Sequence, residues 1–263
     1  MDHPSNTCTD LNVFLIARLK HLALTSDHDQ IAFLGALEAS RQTPSKRELR
    51  NAGGPPSSVR VIQHGYCCRQ MGLSDGRRQV TEFIIPGDIC DVRGATATEH
   101  RIHALTPVIH SEVKRQALAR LVNDHPRIGE ALGRSAALND AMLYERLVSL
   151  GRRSAKERLA HFFCEVFVRS RAVALTRGSR CSLPLGQADL ADLLGLSLVH
   201  TNRSVKALRS EGLVQLQRQI LTIHDFNGLQ EISKFDPHYL QLGRDAPGPG
   251  TSRPPPFTAE LAM

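Results

Sequence analysis

Leu185-Gly186-Gln187-Ala188-Asp189-Leu190-Ala191-Asp192-Leu193-Leu194-Gly195-Leu196-Ser197-Leu198-Val199-His200-Thr201-Asn202-Arg203-Ser204-Val205-Lys206-Ala207-Leu208 is the stretch on which the reading of this chain turns. Leu190, Leu193 and Leu194 recur at helical spacing, and small Ala191 among them allows a second helix to approach closely. Gly195 ends that helix, because the position after a helix favours a left-handed backbone that glycine adopts without a Cβ clash. Ser197 then offers a hydroxyl to cap a second helix. That helix buries Thr201, Val205 and Leu208 at spacings of four and three. Two helices joined by a short glycine turn form a helix-turn-helix.

The second helix leaves Val199, His200, Asn202, Arg203 and Lys206 on its outer face. The N-terminal part of such a helix enters the major groove of DNA, where arginine pairs with two guanine acceptors and asparagine with adenine. Lys206 and His200 suit phosphate contacts better. Downstream, Gly212-Leu213-Val214-Gln215-Leu216 and Ile220-Leu221-Thr222-Ile223 read as strands joined by Gln217-Arg218-Gln219. They predict a wing with Arg218 at its tip. The candidate DNA-binding residues are therefore Ser197, Val199, His200, Asn202, Arg203, Lys206 and Arg218. The competing reading is a helical hairpin with a solvated polar face; turn, cap and wing together weigh against it.

Charge points to the same segment. The net charge is +7, and residues 144–224 carry 13 basic against 6 acidic residues, while the rest of the chain has 20 of each. A local basic surplus attracts a polyanion, of which duplex DNA is the commonest. The N-terminus lacks the basic-then-apolar pattern of a signal peptide. No stretch approaches the apolar run that spans a bilayer. A cytoplasmic protein with no membrane partner is expected. None of the six cysteines (Cys8, Cys67, Cys68, Cys90, Cys164, Cys181) forms a C-x-x-C pair, so the usual metal spacing is missing and reduced thiols are expected. Adjacent Cys67 and Cys68 point to opposite faces of a strand, which places at least one of them in the core.

Outside this segment the period of the apolar residues changes twice. Residues 11–39 read as helical, with Leu11, Phe14, Leu15, Leu19 and Leu22, then Ile31, Leu34 and Leu37, at helical spacing. From Val59 to Val113, short strands alternate with turns such as Ser74-Asp75-Gly76-Arg77-Arg78 and Pro86-Gly87-Asp88, which predicts a small antiparallel roll. Helical period returns from about Asn123 to Leu150, where Leu132, Ala136, Asn139, Leu143, Leu147 and Leu150 share a face. That narrow seam suits a partner helix, with Asn139 able to pair with its symmetry mate. Ala155 to Arg169 carries more apolar residues than one stripe needs and is expected to be buried on two sides. The tail from Gly243 is rich in proline and glycine and is expected to be disordered.

Three segments give the chain its resemblance to the Crp/Fnr family of bacterial regulators: Gly72-Leu73-Ser74-Asp75-Gly76-Arg77-Arg78-Gln79, Phe83-Ile84-Ile85-Pro86-Gly87-Asp88-Ile89, and the helix-turn-helix. Gly151-Arg152-Arg153-Ser154-Ala155-Lys156-Glu157-Arg158-Leu159-Ala160-His161 is similar to the opening of the family's DNA-binding domain. The resemblance implies an α+β chain: an antiparallel, cyclic-nucleotide-binding-like β-roll sensor domain over residues 11–122, a dimerisation helix over 123–150, a winged helix-turn-helix over 151–242 and a tail over 243–263. It further implies a homodimeric transcription regulator whose partners are double-stranded DNA, a second copy of itself and RNA polymerase. Arg203 matches the family's base-reading arginine. Val199 stands where many members carry a base-reading glutamate; valine cannot accept a hydrogen bond from cytosine but can touch a thymine methyl.

The sensor side departs from the family pattern. Members that bind cyclic AMP hold its phosphate with an Arg-Ser or Arg-Thr pair, and the matching positions here are Thr98-Glu99. Glutamate repels a phosphate, which argues against cyclic AMP. Members with a [4Fe–4S] cluster bind it through clustered N-terminal cysteines, and here only Cys8 lies in that region, which argues against the cluster. No cofactor is expected and the effector is unassigned, with a site built from some of the twelve histidines left open. His100 and His103 point to opposite faces if strand-borne. Two further readings compete: a small-molecule-binding roll whose helical half mediates protein association, and a cupin-type enzyme. The cupin needs His-x-His, whereas His64 stands alone. No nucleophile–base set, paired-carboxylate signature or phosphate-binding glycine loop is present, so no enzymatic activity is expected.

Overall fold

The computed structural model of the chain describes residues 11–50, 55–93 and 100–241. Thr98-Glu99, Cys8 and the tail from Gly243 lie outside the described residues. The helical span expected over 11–39 is two helices, α1 (Val13–His21) and α2 (Asp27–Gly35). Ala23 adopts φ +63° between them, and the Ser26 hydroxyl caps α2 by accepting from the Asp29 N–H at 3.4 Å. The break resets the helical phase. Leu15 and Leu19 are buried as their spacing predicts, but Ile31 is exposed and Phe33 takes the core position on α2.

Eight strands follow: β1 (Arg41–Thr43), β2 (Glu48–Arg50), β3 (Ser58–His64), β4 (Cys67–Gly72), β5 (Arg78–Ile84), β6 (Ile89–Cys90), β7 (Arg101–Ala104) and β8 (Val108–Lys114). They form two antiparallel sheets in the orders β1-β8-β3-β6 and β2-β7-β4-β5. The interior between the sheets is filled by Ile62, Cys67, Ile84, Cys90, Ile102, Ala104 and Val108. Because side chains alternate along a strand, each sheet has a second apolar face. Val59, Val61 and Val113 pack outward with α1, α2 and the first half of the long helix. Cys68, Val80 and Phe83 pack outward, together with Ile85 just after β5, with the C-terminal half of the chain. Both members of the Cys67-Cys68 pair are therefore core residues, on opposite faces.

The helix expected from Asn123 is interrupted. α3 (Arg115–Asp124) stops at His125, and α4 (Pro126–Arg152) starts on a proline, which lacks the N–H that a first turn leaves unbonded anyway. With 27 residues, α4 is about 40 Å long at 1.5 Å per residue.

The seam expected on this helix needs correction. Leu132 and Ala136 are buried in the chain's own core with Phe33, Val59 and Val113, and Leu150 packs on the turn of the helix-turn-helix. Asn139 is half-buried, whereas Leu143 and Leu147 are exposed. The roll and the C-terminal domain occupy one side of α4, so the free apolar stripe is rotated by about one residue. It passes through Gly133, Ala137, Tyr144, Leu147 and Gly151, with Leu143 and Val148 beside it, and is interrupted by Asp140, which is ion-paired with Arg93.

α5 (Ala155–Ala172) begins with a capping box: Glu157 N–H donates to Ser154 Oγ, and Ser154 N–H donates to Glu157 Oε2 at 2.7 Å. Every residue from Leu159 to Ser170 is buried, because the roll covers one side of α5 and the rest of the C-terminal domain the other. That domain contains β9 (Thr176–Arg177), β10 (Arg180–Ser182), α6 (Gln187–Leu194), α7 (Leu198–Ser210), β11 (Val214–Gln217), β12 (Ile220–Ile223), α8 (Phe226–Ser233) and a final 3-10 turn (Pro237–Leu240). Its sheet has the order β11-β12-β10-β9.

Candidate nucleic-acid interface

The helix-turn-helix is assembled by local chemistry. Leu190, Leu193 and Leu194 of α6 are buried. Gly195 follows at φ +62°. The position needs glycine for its backbone angle, and a Cβ there would in addition push the Leu150 side chain, whose Cδ2 would lie at 2.7 Å. Arg158 of α5 donates from Nη1 to the Leu194 carbonyl at 3.1 Å, satisfying an acceptor that the helix end leaves open. Ser197 caps α7, its Oγ accepting from the His200 N–H at 3.3 Å. Thr201 and Leu208 are fully buried, with Ser204 also inside and Val205 half-buried. These contacts fix which side of α7 faces out.

That outer side carries Val199, His200, Asn202, Arg203 and Lys206, all exposed. Val199 and its neighbour Leu198 are 66% and 51% exposed. Among the described residues, neither Arg203 nor Lys206 is drawn into an ion pair. Arg78, Arg146 and Arg169, by contrast, are all tied to carboxylates. β11 and β12 form the predicted hairpin, with Val214 opposite Ile223 and Gln217 opposite Ile220. Its two-residue tip is Arg218-Gln219, at φ +50° and +63°, the mirror-image turn that matches strand twist. Arg218 is thus held at the tip, exposed. The candidate residues Ser197, Val199, His200, Asn202, Arg203 and Lys206 lie on one helix and its cap, and Arg218 on the adjoining wing. The outcome is a cationic helix face and a cationic loop presented to solvent, the arrangement that meets a groove and its flanking phosphates.

Contacts between the domains were not legible in the sequence. Arg78, at the start of β5, donates to Asp189 Oδ1 at 2.6 Å and to Asp192 Oδ2 at 2.7 Å, both on α6. Gln79 Nε2 donates to the Asp192 carbonyl at 2.5 Å. The hairpin of β4 and β5 therefore holds the first helix of the helix-turn-helix against the roll. Asp88, next to the sharp turn at Gly87, accepts from Arg169 of α5. The family-like motifs Gly72–Gln79 and Phe83–Ile89 both lie at this junction.

The comparisons with known proteins agree with this geometry. Residues 157–232 match the model of the Crp-like helix-turn-helix domain. The chain is 24% identical over 219 residues to the transcriptional activator protein FnrL of Cereibacter sphaeroides, covering 81% of this chain and 88% of that one. It is 28% identical over 179 residues to the nitrogen fixation regulation protein FixK of Azorhizobium caulinodans, covering 66% and 71% of the two chains. The solved structure of FixK2 from Bradyrhizobium japonicum superposes with a TM-score of 0.67 at 23% identity, over 74% of this chain and 96% of that one. Residues 157–232 thus form a Crp-like helix-turn-helix domain, and over most of its length the chain is similar to DNA-binding transcription regulators of the Crp/Fnr type and shares their fold.

Proposed function

We propose that the protein acts as a homodimer that reads an inverted-repeat operator through α7, without cyclic AMP as effector. The observation that carries the reading is the face formed by Val199, Asn202, Arg203 and Lys206, which is exposed and held by a capped, buried scaffold. Arg203 reads guanine by two hydrogen bonds, Asn202 reads adenine, and Val199 lies against a thymine methyl. Ser197, His200, Lys206 and Arg218 contact phosphates and set the register. The stripe through Tyr144 and Leu147, 69% and 64% exposed, supplies the seam between two copies. The operator is then an inverted repeat with half-sites one turn of DNA apart, roughly 34–36 Å.

The sensor side supports the second half of the proposal. Two inward arginines among the described residues of the roll, buried Arg60 and half-buried Arg69, are already matched: Arg60 with Glu112 and Asp91, and Arg69 with Glu82 and Asp91. A cyclic phosphate would have to displace one of these carboxylates. Contact with RNA polymerase and a place in the cytoplasm follow from the role proposed; among the described residues no helix is long and apolar enough to cross a membrane. Selection of genomic fragments bound by the purified protein is the test. Enrichment of one inverted repeat, in the absence of cyclic AMP, is expected. Fragments without a shared repeat, or a repeat recovered only with cyclic AMP, would overturn the proposal.

A further inference from the structure

His28 and Asp29 lie in the first turn of α2, and His125 occupies the single-residue joint between α3 and α4. The fold brings them together across 96 residues. His125 Nδ1 lies 2.8 Å from Asp29 Oδ1, and His28 Nδ1 lies 3.9 Å from the same oxygen. The two imidazole rings are 4.9 Å apart between centroids, and one donor atom from each of the three residues falls within 4.8 Å of the others. We propose that His28, Asp29 and His125 form a site for a divalent transition-metal ion, which ties α2 to the joint at the head of the long helix.

Two imidazoles and one carboxylate are the donors that zinc, cobalt and nickel take, whereas calcium and magnesium take oxygen alone. Bond lengths of about 2.0–2.1 Å separate neighbouring donors in a tetrahedral sphere by about 3.4 Å. The two separations from Asp29 Oδ1 lie on either side of that value. Asp29 and His125 are pre-positioned, with side chains only 11% and 16% exposed, while His28 is 84% exposed and free to turn inward. The fourth position opens to solvent on the His28 side. The simpler alternative is an ion pair at a helix start, but it leaves the placing of His28 against His125 without a role. On binding, the metal takes the Nδ1 lone pair of His125 in place of the hydrogen bond to Asp29, and the neutral ring carries its proton on Nε2. Pinned in this way, α2 and α4 no longer move independently.

The test is titration of the full-length, metal-free protein with Co²⁺, and with Zn²⁺ in competition with a chromophoric chelator. One Co²⁺ per chain is expected, with a nitrogen- and oxygen-type spectrum and no thiolate charge-transfer band. Affinity should fall at least about tenfold in His28→Ala and in His125→Ala. Zn²⁺ should raise the melting temperature of the wild type but not of either variant. Should His125→Ala fail to fold, His28→Ala, altered only at a solvent-facing side chain, decides alone. No saturable binding, a thiolate band, or unchanged affinity in His28→Ala would overturn the proposal.

Discussion

Arg169 of the DNA-binding domain donates from Nη2 to Asp88 Oδ2 of the roll at 2.7 Å, with both side chains buried. The other Asp88 oxygen accepts from Arg18 of α1, and Oδ2 also accepts from the Ile85 N–H. One carboxylate thus joins the N-terminal helix, the roll and the C-terminal domain. Arg18 Nε and Nη1 have no hydrogen-bond partner among the described residues, so Asp88 is the principal compensation for that buried charge. Removing one partner of a buried pair leaves an uncompensated charge, at a cost of about 3–5 kcal/mol. Asp88→Ala is expected to lose that much stability, read as a lower urea midpoint. An unchanged midpoint would show that the triad contributes nothing net.

Acid should destabilise the protein before its carboxylates titrate. His161 lies between Phe235 and Tyr239 in the C-terminal domain, and burial pushes its pKa down to about 4 from an ordinary 6.5. His110 in β8 is likewise pushed down to about 4, again by burial. Between these two values the unfolded chain holds protons that the folded chain does not, so stability falls as pH drops from about 6.5 to about 4. At about 1.4 kcal/mol per pH unit, His161 alone accounts for up to about 3 kcal/mol. Urea midpoints measured across this range should decline. In His161→Gln the decline should be shallower; a slope equal to that of the wild type would place the effect elsewhere.

The free stripe on α4 gives a direct test of association. Leu147→Glu sets two like charges in the seam and should yield monomers with weakened operator binding, read by sedimentation. Leu132→Glu should instead unfold the chain, because Leu132 belongs to its own core. A dimeric Leu147→Glu variant would move the interface off this stripe.

The described cysteines are built to pack rather than to react. Cys67, Cys68, Cys90, Cys164 and Cys181 are buried, and burial raises the pKa of each thiol, to about 12 for Cys68, Cys164 and Cys181. These five are expected to react with a thiol reagent only after denaturation. Rapid modification of any of them in the folded protein would reveal an opening motion that exposes it.

The helix-turn-helix was legible because its determinants are local: Gly195 for a left-handed turn, Ser197 for a cap, Thr201 and Leu208 for a buried face. The roll was legible in outline from alternating period, but short β1, β2, β9 and β10 were not seen, since three or fewer residues carry no period. Part of the stripe read as a seam on α4, Leu132 and Ala136, is covered by the chain's own core for a tertiary reason. Leu132 and Leu143 look alike in the sequence, yet the roll covers the first and leaves the second bare. The pairings of Asp88, Arg78 and His125 gave no local signal, because the partners of each are distant in the chain.

Binding of the wild type and Arg203→Ala to the selected operator and to a scrambled duplex, followed by fluorescence anisotropy at fixed salt, tests the central claim most directly. Arg203 is expected to supply a two-point base contact of about 1–3 kcal/mol per half-site. The variant should therefore lose most of its preference for the operator while binding the scrambled duplex nearly as the wild type does. Undiminished preference for the operator in Arg203→Ala would contradict the assignment of α7 as the reading helix.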